Sequence, residues 1–225
     1  MSRPVAVDLF CCSGGATRGL QRAGFYVIGV DNKPRPNYCG DDFFEKDALD
    51  FIRGGLRGVD LVSSSPPCQE GSALMSGTHG NRPNPHPQLV PETRELLART
   101  GLPFWIEQPT SNRRGLIRRD LTLCMDMFPI EPPRVFRHRS FELSGFTVPQ
   151  PQHVKHTGRV RGWRHGVEHA GDYVAAYGSG GGKATVPEMR HALGIDWTDV
   201  REELTEAIPP TYAEYIGREF LRQAA

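Results

Sequence analysis

Four short apolar runs constrain this chain most, at residues 5–10, 26–30, 59–62 and 103–106. Each is too short for a buried helix, as expected of a strand covered on both faces. Segments with helical periodicity lie between them, at 16–23, 48–53 and 92–99. Strands that alternate with helices build a parallel sheet with helices packed on both faces, an α/β fold. In such sheets ligands gather outside the carboxyl ends of the strands. The residues that stop the four runs are therefore the candidates for chemistry.

The first run ends in Cys11-Cys12-Ser13-Gly14-Gly15, and a helical pattern follows. Glycines let a backbone come close to a ligand, and a helix N-terminus offers N–H groups that lack intrahelical acceptors. The spacing is not G-x-G-x-x-G, so a dinucleotide is a weak match. The second run ends at Asp31. An acid there is placed to accept hydrogen bonds from ribose hydroxyls, or it is a turn acid. Asp47 sits where a third strand should end, to bind a ligand or to N-cap 48–53.

The third run leads into Ser65-Pro66-Pro67-Cys68-Gln69. Proline has no N–H to donate, so the ladder stops there and Cys68 is presented on a stiff turn. A thiol so placed acts as a nucleophile if its pKa is lowered or its substrate is activated. The other reading is a small buried hydrophobe, which is what most free cysteines are. The fourth run ends at Glu107-Gln108-Pro109, which delivers a carboxylate to the same edge.

Beyond these runs the pattern loosens. Residues 70–91, rich in Gly, Asn, His and Pro, read as a long polar loop of the functional kind. Arg113, Arg114, Arg118 and Arg119 form either a solvated face or a set of phosphate contacts. Asp120 is expected to cap a helix that runs to Met127. Residues 134–143 alternate like one strand, with Val135, Arg137, Arg139, Phe141 and Leu143 on one face. Guanidinium groups on a half-buried face need an acceptor, such as a carboxylate or a base. Residues 144–182 change composition, with His153, His156, Trp163, His165, His169 and a glycine run before Lys183. The histidine spacings could suggest a metal. No carboxylate or cysteine completes a recognisable set, so no metal is expected. A basic, aromatic loop region suits a nucleic-acid backbone better. Helices are expected at 185–193, with Thr185 and Glu188 as a capping pair, and at 210–222.

Composition narrows the classes further. A net charge of +1 creates no global field for a polyanion, so local basic clusters must serve. Five cysteines without a C-x-x-C pair argue against a disulfide framework and fit a reducing compartment. No stretch reads as a signal peptide or a membrane span, so a cytoplasmic location and no membrane partner are expected.

Taken in order, these stretches resemble the DNA cytosine-5 methyltransferase family, most nearly its short phage-encoded members. The resemblance covers nearly the whole chain. Residues 8–15, Asp-Leu-Phe-Cys-Cys-Ser-Gly-Gly, match the family's S-adenosylmethionine turn, with Cys12 in place of a glycine. Asp31 stands at the ribose-binding acid and Asp47 at the acid that contacts the adenine. Pro66-Pro67-Cys68-Gln69 matches the nucleophile motif, and Ser72 falls on its serine. Ile106-Glu107-Gln108-Pro109 stands for the Glu-Asn-Val motif, with Gln-Pro after the glutamate. Arg137-His138-Arg139 stands for the end of Gln-x-Arg-x-Arg, with Val135 at the glutamine. Thr185 to Gly194 and Ile208-Pro209-Pro210 with Ile216-Gly217 resemble the two C-terminal motifs, the second without its usual asparagine.

The resemblance implies a Rossmann-like S-adenosylmethionine-dependent methyltransferase sheet formed by residues 1–143 and 184–225. A small, loop-rich target-recognition region would occupy 144–183. Cys68 would attack C6 of a cytosine, Glu107 would hydrogen-bond or protonate N3, and Arg139, supported by Arg137, would contact the base or orient Glu107. S-adenosylmethionine would be held by Asp8, Phe10, Ser13, Gly14, Gly15, Asp31, Asp47, Pro67 and Pro210. The implied partner is DNA, with the target base flipped from the stack, and the enzyme would act as a monomer in a bacterial host cytoplasm. A recognition region of about forty residues is small for reading a groove. A free cytosine nucleotide or a single strand is therefore an alternative substrate, and a catalytically silent DNA-binding module is another. No feature speaks for the family's tRNA-methylating branch.

Overall fold

The computed structural model describes residues 2–67, 89–110, 115–153, 155–177 and 184–224. Its centre is a seven-stranded sheet in the order β3-β2-β1-β4-β5-β8-β6. The first five of these are β1 Val5–Leu9, β2 Tyr26–Asp31, β3 Asp42–Glu45, β4 Leu61–Ser64 and β5 Phe104–Pro109, all mutually parallel. The four apolar runs are thus strands, and their carboxyl ends share one edge. β8 Arg139–Ser144 and β6 Leu121–Leu123 complete the sheet with antiparallel pairings. Strand order reverses at β1, which lies between β2 and β4. That is where an open α/β sheet has its ligand crevice.

Both faces of the sheet are buried, each in its own core. One core joins Trp105 and Phe141 of the sheet to Leu20 and Phe25 and to Tyr212 and Ile216. These belong to α1 Gly15–Ala23, the residues after it, and α6 Pro210–Ala224. The opposite core joins Leu9, Val30, Val62 and Ile106 to Ile52 and Leu97, which lie on α2 Ala48–Arg53 and α3 Leu89–Thr100. Burying one such side chain contributes on the order of 2 kcal/mol.

α1 and α6 touch backbone to backbone. A Cβ on Gly15 would lie 2.2 Å from the Ile208 carbonyl oxygen, and one on Gly19 would lie 2.1 Å from the Pro210 carbonyl oxygen. The segment after β8 holds β9 Gly162–Arg164 and β10 Val167–His169, an antiparallel pair. It also holds β11 Tyr173–Val174, which pairs in parallel with β7 Arg134–Val135. α4 Val186–Leu193 and α5 Arg201–Glu206 lead to α6. Glu188 accepts the Thr185 N–H at 2.8 Å, as the capping pair predicts.

Two expectations fail in the middle of the chain. Residues 121–127 are not a helix: β6 is followed by a single 3-10 turn, Met125–Met127. The cause is tertiary, because Leu121 and Leu123 pair with Phe141 and Arg139 of β8 and are fully buried. Nor is 134–143 one strand. It breaks after Val135 and resumes at Arg139, because the Arg137 guanidinium turns away to bind three carbonyl oxygens described below. None of the described helices is long and apolar enough to cross a membrane.

Candidate active site at the carboxyl edge of the sheet

The turn after β1 is built by backbone conformation. Phe10 (φ 61), Cys12 (φ 50) and Gly14 (φ 94) all adopt the left-handed region before α1 begins at Gly15. Only glycine enters that region without cost, and another residue loses roughly 1–2 kcal/mol. Cys12, which stands in place of a motif glycine, therefore adopts a backbone that glycine would take without cost. Its N–H donates to Asp31 Oδ2 at 3.1 Å, which ties the turn to the end of β2. Asp31 is 5% exposed; it also accepts the Lys33 N–H at 3.1 Å and pairs with Arg35 at 3.1 Å. Trp197 Nε1 donates to the Ser13 carbonyl at 2.8 Å and braces the turn from the far side.

Asp8 holds the turn from beneath. It is buried, accepting Thr17 N–H at 3.0 Å, Thr17 Oγ1–H at 2.7 Å and Ser63 Oγ–H at 2.8 Å. Strand β1, helix α1 and strand β4 therefore meet on one carboxyl group. Burial pushes its pKa up to about 6, against the opposing pull of those donors. This makes Asp8 a positioning residue, without the open face a direct ligand contact needs. Asp47 accepts the Leu49 and Asp50 N–H groups and so N-caps α2, the second of its two readings. Pro210 is buried at the start of α6, with its carbonyl against Gly19.

A second group of residues gathers where β4 and β5 end. Gln108 Nε2 donates to the Pro66 carbonyl at 2.7 Å and laces the two strand ends together. Glutamine at this position has the reach for that bond. Glu107 is 5% exposed, and Arg139 Nε stands 2.7 Å from its Oε1. The contact is an ion pair without hydrogen-bond alignment, and Oε1 is buried. Glu107 lies opposite Phe141, and Pro109 lies opposite Arg139. The acid and the guanidinium are therefore diagonal neighbours on one face of the β5–β8 ladder. Burial raises the Glu107 pKa, and Arg139 and then Arg137 pull it back down. A carboxyl so balanced can carry a proton to a basic nitrogen and stabilise the charge that results.

Arg137 is 5% exposed and donates to the carbonyls of Ala176 (3.1 Å), Thr205 (2.7 Å) and Ala207 (2.6 Å). It acts on Glu107 by charge at a distance while it clamps the returning C-terminal segment. Tyr212 of α6 donates to the Arg137 carbonyl from the same segment. Of the arginine cluster, Arg118 is engaged with Glu142, Asp120 and the Leu143 carbonyl. Arg119 donates to the Thr110 carbonyl. These contacts favour a structural role over phosphate binding for both. Cys68, Gln69, Ser72, Arg113, Arg114 and Lys183 lie outside the described residues. Pro67, immediately before Cys68, is described and exposed.

The structure also assembles residues that the sequence reading left out. Thr17 and Ser63, the donors to Asp8, lie nine and fifty-five positions from it, and only Thr17 carried a signal, as the hydroxyl in the first turn of α1. Arg35 falls four residues after Asp31. Cys124 and His138 come close to His153 and His156, a grouping that no local spacing announces.

No protein-family model matches the chain, and no curated protein matches it. Solved structures do. One is an E. coli protein encoded within a prophage and assigned as a DNA modification methyltransferase, with 13% identity, 97% and 99% of the two chains covered and a TM-score of 0.57. The Dnmt2 methyltransferase of S. pombe matches with 16% identity, 99% coverage of each chain and a TM-score of 0.59. The methyltransferase EhMeth of Entamoeba histolytica matches with 10% identity, full coverage of both and a TM-score of 0.60. Sheet order, first turn and these neighbours together give the chain the fold of the S-adenosylmethionine-dependent methyltransferases, in agreement with the resemblance of its motifs to the DNA cytosine-5 methyltransferase family.

Proposed function

We propose that this chain methylates C5 of cytosine in DNA, with S-adenosylmethionine as methyl donor and Cys68 as transient nucleophile. One observation carries the reading. The Glu107–Arg139 pair stands at the carboxyl edge of β5, and Gln108 binds that edge to Pro66, two residues before Cys68. The acid and the segment that leads to Cys68 thus leave neighbouring, physically joined strand ends. The prophage-encoded neighbour agrees with DNA as substrate and with a phage or prophage origin.

The residues present fit the cofactor. Phe10 offers a part-exposed ring, Asp31 a carboxylate for vicinal hydroxyls, and α1 the Gly15 and Ala16 N–H groups, the Thr17 N–H being taken by Asp8. Gly14 supplies the left-handed backbone the turn needs, Gly15 lets the Ile208 carbonyl pack against it, and Asp8 and Ser13 shape the turn. Bound there, S-adenosylmethionine supplies an electrophilic methyl group to a carbon made nucleophilic nearby.

Cytosine C5 is a poor nucleophile until its ring is activated. Cys68 as thiolate forms a bond to C6, and the C5–C6 π electrons shift toward the ring nitrogen N3. Glu107 donates a proton or a hydrogen bond to N3 as charge develops there, with Arg139 holding the carboxyl in place. C5 then accepts the methyl group. Loss of the C5 proton to a base returns the electrons to the C5–C6 bond and expels the Cys68 thiolate. Within a duplex C6 is out of reach, so the base is flipped from the stack before attack. Residues 144–183 contact the DNA, and 1–143 with 184–225 form the catalytic domain.

The test uses DNA carrying 5-fluorocytosine, which has no C5 proton to lose. With S-adenosylmethionine present, a protein–DNA adduct that survives denaturation should accumulate. Cys68→Ala should abolish it. Glu107→Gln should slow its formation about 10²–10³-fold, by analogy with loss of one oxyanion donor. An adduct formed by the Cys68→Ala protein, or methylation that persists in it, would overturn the mechanism.

A further inference from the structure

The geometry points to a structural zinc site formed by Cys124, His138, His153 and His156, which clamps the 144–183 region to the catalytic strand β8. The four residues come from three parts of the chain. Cys124 follows β6, His138 immediately precedes β8, and His153 and His156 lie after β8, spaced as H-x-x-H. One ligand atom from each lies within 4.8 Å of all the others. The sequence lacked a visible set because Cys124 and His138 stand far from the histidine pair, and only the sheet brings them together.

The separations are those of a tetrahedron. Zinc–nitrogen bonds of about 2.0–2.1 Å and a zinc–sulfur bond of about 2.3 Å give edges of about 3.3 Å between nitrogens and about 3.6 Å from sulfur to nitrogen. His138 Nε2 lies 3.3 Å from His153 Nε2 and 3.3 Å from His156 Nε2. Cys124 Sγ lies 3.7 Å from His156 Nε2. No separation among the four ligand atoms exceeds 4.8 Å, about 1 Å more than a tetrahedral edge.

Hydrogen bonding alone does not account for this convergence. A ring nitrogen carries either one proton or one lone pair. His138 Nε2 therefore cannot serve two other ring nitrogens well at once, whereas a cation among them is served by every lone pair. The supporting residues follow the same logic. His156 Nδ1 bonds to Asp126 Oδ2 at 2.5 Å, the carboxylate–histidine arrangement that orients a metal ligand through its other nitrogen. Tyr173 O–H donates to the same Asp126 oxygen at 2.6 Å. Phe136 stacks on Tyr173 at 3.8 Å and meets the His156 ring edge-on at 4.4 Å, covering one side. Four protein ligands leave no position for water, and one thiolate with three imidazoles suits zinc, so the site is structural.

Its place in the fold gives it a purpose. His138 lies between Arg137 and Arg139, and Arg139 is the partner of Glu107. A metal here would fasten a small region to the strand that carries the base-activating pair. Regions this small commonly need a metal or a disulfide to hold their shape. The inference does not depend on which base or which group is transferred.

The purified full chain should contain one zinc per molecule by elemental mass spectrometry. Cobalt substitution should give the visible bands of a tetrahedral ion and a thiolate-to-cobalt band in the near ultraviolet. His153→Ala, at an exposed position that the fold tolerates, should release zinc to a chromophoric chelator at least tenfold more readily. Asp126→Asn should weaken binding about 10–100-fold. Cys124→Ser should lose the thiolate band. Limited proteolysis within 144–183 should speed up when zinc is withdrawn from the wild-type chain. Substoichiometric metal together with a featureless cobalt spectrum would overturn the site, as would zinc held equally well after His153→Ala.

Discussion

Asp8→Asn isolates the carboxyl group on which β1, α1 and β4 meet. In the fold this carboxyl has a pKa of about 6, against an ordinary value of 3.8. The difference is worth about 3 kcal/mol at 1.36 kcal/mol per pKa unit. The side chain is 1% exposed, so solvent does not screen it. Because the folded pKa is the higher one, the native state binds more protons between pH 4 and 6, and stability falls as pH rises through that window. Asparagine keeps the shape. Its oxygen can accept from Thr17, and the Ser63 hydroxyl can rotate to accept from its amide. It does not ionise, so the stability difference between variant and wild type should shift by about 3 kcal/mol in the variant's favour from pH 4 to pH 7. Urea unfolding followed by circular dichroism across that range measures it. Asp8→Ala should instead destabilise at every pH by roughly 1–3 kcal/mol, since it strands the Thr17 N–H in the core. A difference between wild type and Asp8→Asn that stays constant with pH would refute the reasoning. It would mean that the three donors outweigh desolvation and hold the carboxylate charged.

Gly15→Ala places a methyl 2.2 Å from the Ile208 carbonyl oxygen; backbone on both sides cannot yield cheaply, so α6 should undock, read as protease sensitivity near 208 and a loss of roughly 1–3 kcal/mol. Cys12→Gly relieves a left-handed residue at φ 50. It should be neutral or stabilise by up to about 1 kcal/mol in thermal unfolding, whereas β-branched Cys12→Val should destabilise by more than 1 kcal/mol.

The sheet was legible because each of its central strands is a short apolar run that ends in a breaker or a polar residue. Val5 to Leu9 and Leu61 to Ser64 are buried on both faces, so no other element competes for them. The edge beyond β5 was not legible. Leu121 and Leu123 suit a helix or a strand equally, and only Phe141 and Arg139 across the ladder decide between them. Arg137 and Arg139 looked alike in an alternating pattern. In the fold Arg139 faces Glu107, while Arg137, outside β8, faces three carbonyls. The Asp31 and Asp47 alternatives show the same limit. A local cap such as that of Asp47 can be read from spacing, while the Arg35 partner of Asp31 depends on how the chain turns after β2.

The contact between Gly19 and Pro210 has a consequence for the order of assembly. The turn after β1 is flanked by α6, which is made much later in the sequence. On a translating ribosome the first β-α unit emerges early, yet its outer flank stays bare until residues 208–216 are free to seat on it. Such long-range closure is slow, because the entropy of a long loop must be overcome before the contact stabilises anything. A nascent chain stalled anywhere before α6 therefore holds the carboxyl ends of the strands without the sealed turn beside them. The turn after β1 is thus finished only once α6 has been made.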